Sequence, residues 1–293
     1  MGSFESRWLR AMPVVFVLIW STGFIVARYG MPYSPPLSFL SARYALSIAC
    51  FLAWMAIARV AWPQGRLQWL HLGVTGVLMH AGYLGGVWAA VKLGMGAGLT
   101  SLIVGLQPVL TAVWMAAWGS RVTRTQWVGL ALGLVGLVMV VSRKFGTGGE
   151  VTAPSLAFAV MALCSITAGT LYQKRFVQPC DVRSANAVQL LAALAVSLPF
   201  ALLEPESMRW NAQLYGAMAW SVLVLTLGGS SLLYLLIQRG AATQVTSLLY
   251  LVPPCTAGLA WLLFGELITA TTIAGTALTA LGVWLVVRPA RSV

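Results

Sequence analysis

Few residues within the long apolar stretches of this sequence could do chemistry, and none of them is acidic. His80 lies in the middle of one such stretch, without a second histidine, an HExxH pattern or a carboxylate pair beside it. Metal sites need several such ligands, so we predict neither a metal nor a cofactor. His80 is instead a candidate to hydrogen-bond a small solute or to change protonation near neutral pH. A hydrogen bond that only joins two helices is the alternative.

His80, Tyr83 and Val87 follow the i, i+3, i+7 spacing that places side chains on one helix face. If this face lines a cavity, it forms an aromatic wall with polar tips. The residues that we predict to bind substrate combine such aromatics with polar side chains at similar depth: Trp20, His80, Tyr83, Trp88, Ser101, Gln107, Tyr234, Ser247 and Tyr250. Ordinary packing, and hydroxyls that bond back to their own helix, remain the alternative interpretation.

The ionisable residues inside the apolar stretches limit the substrate class. No Asp or Glu lies deep in any of them, which disfavours organic cations and a carboxylate proton relay. Neutral or zwitterionic substrates fit better. Arg43, about seven residues into the second stretch, could bind a substrate carboxylate, but we favour a structural role at the membrane surface or on a neighbouring helix.

Three prolines interrupt apolar stretches that otherwise suit continuous helices. Pro108, Pro253 and Pro254 each remove a backbone donor, and the freed carbonyl must be satisfied or face a wet cavity. Because Pro108 and Pro254 occupy corresponding places in the two halves described below, we predict that these prolines form hinges.

Composition indicates that the whole chain lies in a membrane. Its 293 residues are 59% hydrophobic and 8% charged, against about 25% charged in soluble domains. A span needs about 20 apolar residues, and the runs are apolar throughout, which excludes the alternation of a β-barrel. We predict an all-α protein with ten transmembrane helices: Leu9–Arg28, Leu37–Ala58, Leu70–Val91, Ala97–Trp118, Gln126–Val141, Pro154–Tyr172, Ser184–Leu203, Ala212–Ile237, Ala242–Phe264 and Thr271–Val287.

The excess of basic residues predicts the orientation. Of 18 Lys and Arg residues, 12 fall on the side of the two termini and five on the other, with Arg43 inside a span. The positive-inside rule therefore places both termini in the cytoplasm. Basic residues scattered singly between apolar runs do not suggest nucleic-acid binding.

The sequence resembles itself at an offset of 146 residues. Thr100-Ser101-Leu102 aligns with Thr246-Ser247-Leu248, Pro108 with Pro254, and Gly129 with Gly275. We therefore predict two repeats, residues 1–146 and 147–293. Each holds five helices, and an odd number inverts the second repeat, an arrangement typical of secondary transporters.

The same residues carry a family resemblance. Trp20-Ser21-Thr22-Gly23-Phe24 and the stretches ending in Gly136 and Gly282 resemble the EamA-type ten-helix module of the drug/metabolite transporter superfamily. The resemblance implies a central cavity lined by helices 1, 3, 4, 6, 8 and 9, with export from the cytoplasm. The aromatic residues are similar to those of the YddG-type exporters of neutral amino acids. Ser120 departs from the pattern, since that position often carries the glutamate found here at Glu266.

We therefore expect a multi-pass exporter in a bacterial-type cytoplasmic membrane, working by alternating access on neutral and aromatic amino acids. A broader drug or metabolite exporter and a passive facilitator are the alternatives. An enzyme is not expected, because no catalytic cluster appears at membrane depth. The expected partners are a small solute and the lipid bilayer, and the sequence predicts no oligomeric state.

Overall fold

The computed structural model describes residues 2–118, 123–144, 151–232 and 251–287, and the regular elements in these ranges are helices. We number them in chain order. The first five are α1 (Gly2–Gly30), α2 (Pro36–Ala58), α3 (Arg66–Lys92), α4 (Ala97–Ala117) and α5 (Arg124–Lys144). The others are α6 (Ala153–Phe176), α7 (Val182–Ala201), α8 (Ala212–Ser230), α9 (Val252–Phe264) and α10 (Ala270–Val287).

Seven of the described helices, α2 to α8, are long and apolar enough to cross a membrane. Shorter apolar helices occupy Val14–Gly30, Val252–Phe264 and Ala270–Val286. Large apolar side chains on the outside, such as Ile57 at 84% exposure and Leu262 at 70%, suit contact with lipid. The count of ten spans and the cytoplasmic position of the termini stay predictions.

The helix boundaries repeat at the offset found in the sequence. Helices α2, α3 and α5 begin at Pro36, Arg66 and Arg124, and helices α7, α8 and α10 begin 146 residues later, at Val182, Ala212 and Ala270. Packing follows the same pattern: α3 packs on α6, and α8 packs on α1.

Helices α5 and α10 cross through small residues. A Cβ on Gly129 would meet the carbonyl of Gly282, and one on Gly136 would meet that of Gly275. Gly129 and Gly136 correspond to Gly275 and Gly282 at the offset of 146 residues, so the two contacts are equivalent under the repeat. Because the order of the contacting residues is reversed between the two helices, the helices run antiparallel. The Thr279 hydroxyl donates to the Gly133 carbonyl at 3.4 Å. Thr279 is the residue that corresponds to Gly133 at the offset of 146, so this bond joins equivalent positions of the two halves. This is the pattern of a two-fold axis perpendicular to the helices.

Two helices contain π-helical segments, where the expected regular helices are locally underwound. These segments are Val77–Gly82 in α3 and Trp220–Ser230 in α8. At the offset of 146 the first falls inside the second. A π segment leaves backbone carbonyls outside the i to i+4 pattern, and such segments often occur at functional sites.

Candidate functional site

A buried cavity lies among α1, α2, α3, α6, α7 and α8. Its volume is about 60 Å³ in this conformation, which is room for a few water molecules. Of the helices implied by the family resemblance, α1, α3, α6 and α8 contribute, and α2 and α7 contribute as well. Its polar lining consists of Arg43, His80, Gln173, Asn186, Gln189 and Ser230.

The aromatic wall expected from the sequence lines this cavity. Trp20 of α1 and Tyr83 of α3 are stacked, with ring centroids 6.3 Å apart and an interplanar angle of 5°, within the range of favourable aromatic pairs. Trp88 also lines the cavity, although it is only 1% exposed and packs on Phe39 with centroids 4.4 Å apart. Trp20 and Tyr83 thus form a flat apolar platform, with Trp88 beyond it.

His80 lies on the π segment of α3 and faces the cavity. Its backbone carbonyl accepts a hydrogen bond from the Tyr44 hydroxyl at 2.9 Å, which satisfies one group in the irregular turn. The His80 side chain lies beside Gln189 of α7. Gln189 Nε2 is buried and makes no hydrogen bond of normal geometry among the described residues. This amide is therefore a donor available to a solute.

Arg43 lines the cavity and also links α2 to a neighbouring helix, as in the structural role that we favoured from the sequence. It is 5% exposed, and its Nε donates to the Thr226 hydroxyl of α8 at 3.0 Å. Sequence reasoning missed Gln173, Asn186 and Gln189. Sequence alone does not say which face of α2 or α7 turns inward, and this face decides whether these residues reach the cavity.

Two of the predicted binding residues lie outside this cavity. The Ser101 hydroxyl donates to the Gly98 carbonyl of its own helix at 2.7 Å, the alternative weighed for such hydroxyls. Gln107 Nε2 donates to the Thr170 hydroxyl at 3.0 Å and so joins α4 to α6. Three further predicted residues lie outside the described residues: Tyr234, Ser247 and Tyr250.

The predicted hinge residues coincide with a broken helix. Helix α4 is interrupted at Gly105 and Leu106, just before Pro108. A Cβ on Gly105 would collide with the Pro253 ring, so the break in α4 packs against the beginning of α9. Pro254 follows in the first turn of α9. Whether these residues act as hinges stays a prediction. Ser120 lies outside the described residues.

One end of the helix bundle is held together by three glutamates. Glu204 accepts from the Leu37 and Ser38 backbone N–H groups at 2.9 and 2.7 Å. Glu266 accepts from the Ala97 N–H at 2.9 Å, and Glu206 pairs with Lys92 at 2.5 Å. Carboxylates at helix N-termini meet unpaired donors and the positive end of the helix dipole. We call Glu204, Glu206 and Glu266 the carboxylate layer; each links the second half of the chain to the first.

No group of three or more His, Cys, Asp or Glu side chains in the described part of the chain could hold a metal ion. Long apolar helices around a cavity with few polar side chains, closed at one end by polar links, are an arrangement that suits a membrane transporter. The chain belongs to the EamA-like transporter family, whose model matches residues 11–142 and again residues 153–288.

Relatives of known name agree with this class. A probable amino-acid metabolite efflux pump of Salmonella typhimurium is 25% identical over 94% of this chain and 93% of its own length. An uncharacterized inner membrane transporter of Escherichia coli K12 is 25% identical over 71% of this chain and 66% of its own. One solved structure superposes with a TM-score of 0.67 at 19% identity, covering 94% of both chains, and so has the same fold. The protein is a multi-pass protein of the inner membrane.

Proposed function

We propose that this transporter exports neutral amino acids, including aromatic ones, from the cytoplasm by alternating access. The observation that carries the proposal is the composition of the cavity. A stacked Trp20–Tyr83 platform suits an apolar side chain, while Arg43 and the amides of Asn186 and Gln189 suit a polar headgroup. A relative named as an amino-acid metabolite efflux pump supports the same substrate class.

The architecture proposed with this function is ten spans in two inverted five-helix repeats, residues 1–146 and 147–293, with both termini in the cytoplasm. The repeated helix starts and the reciprocal glycine contacts of α5 and α10 support it. The paired π segments are supporting evidence too, since both contribute to the cavity. Two such halves can rock about a shared central site.

Counterflow in proteoliposomes tests the proposal. Vesicles loaded with unlabelled phenylalanine should take up labelled phenylalanine in a transient overshoot, because a carrier exchanges bound substrate while a channel only equilibrates it. Tyr83→Ala and His80→Ala should each lower the initial rate about fivefold or more, since each removes part of the cavity wall.

The control is Tyr215→Ala, because Tyr215 is a 60% exposed aromatic residue of α8 outside the cavity. It should leave the rate unchanged. Uptake without overshoot would favour a passive facilitator. Full activity in folded Tyr83→Ala and His80→Ala proteins would exclude this cavity as the substrate site.

A further inference from the structure

Arg43 is a buried cation that uses only part of its hydrogen-bonding capacity. Its Nε is engaged by Thr226, whose hydroxyl in turn donates to the Ser221 carbonyl at 2.9 Å. These two contacts fix the guanidinium between α2 and α8. The terminal nitrogens of Arg43 make no hydrogen bond within the described residues, and the residue lines the cavity. A guanidinium held by Nε retains donors for a further planar anion.

The chain supplies no resident counter-ion for this charge. Among the described residues no carboxylate lies within ion-pair distance of Arg43. Three of the six acidic residues form the carboxylate layer at the end of the bundle, and Asp181 is paired with Arg183. The remaining two, Glu5 and Glu150, lie outside the predicted spans. An unpaired buried charge is costly, so an anion that enters the cavity gains a strong partner.

The positive charge of Arg43 is not repeated at the equivalent position of the second half of the chain. At the offset of 146 residues, Arg43 corresponds to Gln189 and Thr226 corresponds to His80. The Arg43–Thr226 contact between α2 and α8 is thus the image of the Gln189–His80 contact between α7 and α3. The cavity thus has a guanidinium on one side and an imidazole and an amide at the equivalent place on the other. This asymmetry favours a ligand whose anionic group lies at the Arg43 end.

We propose that Arg43 binds the carboxylate of the transported molecule and that a free carboxylate is required for recognition. This inference rests on the proposed export of amino acids and specifies which group of the substrate Arg43 recognises. The Trp20–Tyr83 platform then receives the apolar part, and the amide oxygens of Asn186 and Gln189 are acceptors for an ammonium group. The substrate class is a monocarboxylate with an apolar side chain; amides and esters of the same molecule are excluded.

The first test needs no substitution. Unlabelled phenylalanine, phenylalaninamide and phenylpropionate compete with labelled phenylalanine for counterflow by the wild-type protein. We expect phenylalaninamide to compete at least tenfold more weakly than phenylalanine, because it cannot form the paired charge-assisted hydrogen bonds. Phenylpropionate, which keeps the carboxylate and lacks the amine, should compete measurably. Equal competition by the acid and the amide would overturn the proposal.

The second test changes the residue itself. Arg43→Gln installs the residue found at the equivalent position and should lower phenylalanine counterflow tenfold or more while removing the preference for acid over amide. Thr226→Val removes the acceptor for Nε, together with the bond from Thr226 to the Ser221 carbonyl, and should weaken that preference in part. Arg124→Gln is the matched control, since Arg124 is exposed and lies outside the cavity. Size-exclusion profiles identify a variant that fails to fold. In that case the competition experiment with the wild-type protein decides whether the carboxylate is recognised.

The outcomes separate this inference from the proposed function. If phenylalanine is transported and Arg43→Gln is as active and as selective as wild type, the carboxylate role is wrong and amino-acid export stands. If phenylalanine is not transported but phenylpropionate is, and only with Arg43 present, amino-acid export is wrong and the carboxylate role stands. If chloride stabilises wild type but not Arg43→Gln, and acid and amide compete equally, Arg43 binds an inorganic anion and the proposal fails.

Discussion

At the scale of single residues, the site depends on which side chains are left without partners. Most hydroxyls in the described helices bond to a nearby carbonyl of their own helix, as the Ser21 hydroxyl does to the Val17 carbonyl at 2.7 Å and that of Thr167 to Leu163. Such hydroxyls have little capacity left for a solute. The buried amide of Gln189 and the guanidinium of Arg43 differ, since both retain donors inside the cavity. In the proposed function, we therefore expect these two residues to contribute most to polar recognition.

Asp181 illustrates a residue whose charge serves stability instead. It lies before α7, accepts from the Arg183 backbone N–H at 2.9 Å, and pairs with the Arg183 side chain at 2.7 Å. The hydrogen bonds from Arg183 hold the pKa of this carboxyl below its usual range. A carboxyl with a lowered pKa stabilises the folded state above its unfolded pKa, and the contribution disappears as pH falls through the folded value.

We therefore predict that Asp181→Asn lowers the unfolding temperature at pH 7 and has a smaller effect near pH 3. Asparagine caps a helix about as well as aspartate, so the expected loss is that of the charge: about 0.3–1 kcal/mol from the helix dipole and less than about 1 kcal/mol from the partly exposed pair with Arg183. Thermal unfolding of the detergent-solubilised protein at a series of pH values measures the difference. An equal loss at pH 3 and pH 7 would show that the charge of Asp181 does not contribute.

At the scale of helices, the sequence identified most of the apolar helices but not their irregularities. Most predicted spans lie within the observed helices, because spans are apolar along their whole length. The π segments of α3 and α8 were missed, since no residue pattern marks an added backbone residue. They matter because underwinding rotates the residues that follow, and Tyr83 and Trp88 follow the first segment. The break in α4 was expected, because a proline removes a backbone donor wherever it stands.

The broken helix gives a prediction at this scale. Pro108 lacks the N–H that would otherwise bond to the Val104 carbonyl, and α4 restarts at Gln107 after the break. Pro108→Ala restores that donor and should favour a continuous, stiffer α4. We expect maximal counterflow to fall several-fold while the half-saturating phenylalanine concentration changes little.

Pro199 offers a matched control, because it lies inside α7 but is exposed and away from the cavity. Pro199→Ala should leave transport unchanged. If Pro108→Ala keeps the full maximal rate in folded protein, bending at this position is not part of the transport cycle.

At the scale of the whole molecule, the two halves are joined differently at the two ends of the bundle. The carboxylate layer ties loops and helix starts of the first half to the connections that follow α7 and α9. Arg209 adds two bonds to the same end, from its backbone N–H to the Tyr33 carbonyl at 2.8 Å and from its side chain to the Pro32 carbonyl. In the proposed orientation this end faces outward. We therefore expect opening of the cavity to the outside to break these links.

The carboxylate layer can be tested as an outer gate. Glu204 accepts hydrogen bonds on both carboxylate oxygens, so Glu204→Gln places an amide donor against a backbone N–H and loses the charge that favours a helix N-terminus. Each charge-assisted bond contributes about 1.5–3 kcal/mol, and the loss of one should raise the outward-open population about tenfold. Val87→Cys, in a background with the native cysteines replaced by serine, reports on that population because Val87 lines the cavity.

An impermeant maleimide added outside intact cells should label Val87→Cys about tenfold faster when Glu204→Gln is also present. Asp181→Asn, at the start of α7 on the opposite end, should leave the rate unchanged. Faster labelling only from the cytoplasmic face of inverted vesicles would reverse the proposed orientation while keeping the gate. No acceleration from either face would mean that the links of Glu204 brace the fold without controlling access, and the rocking of the halves would need another gate.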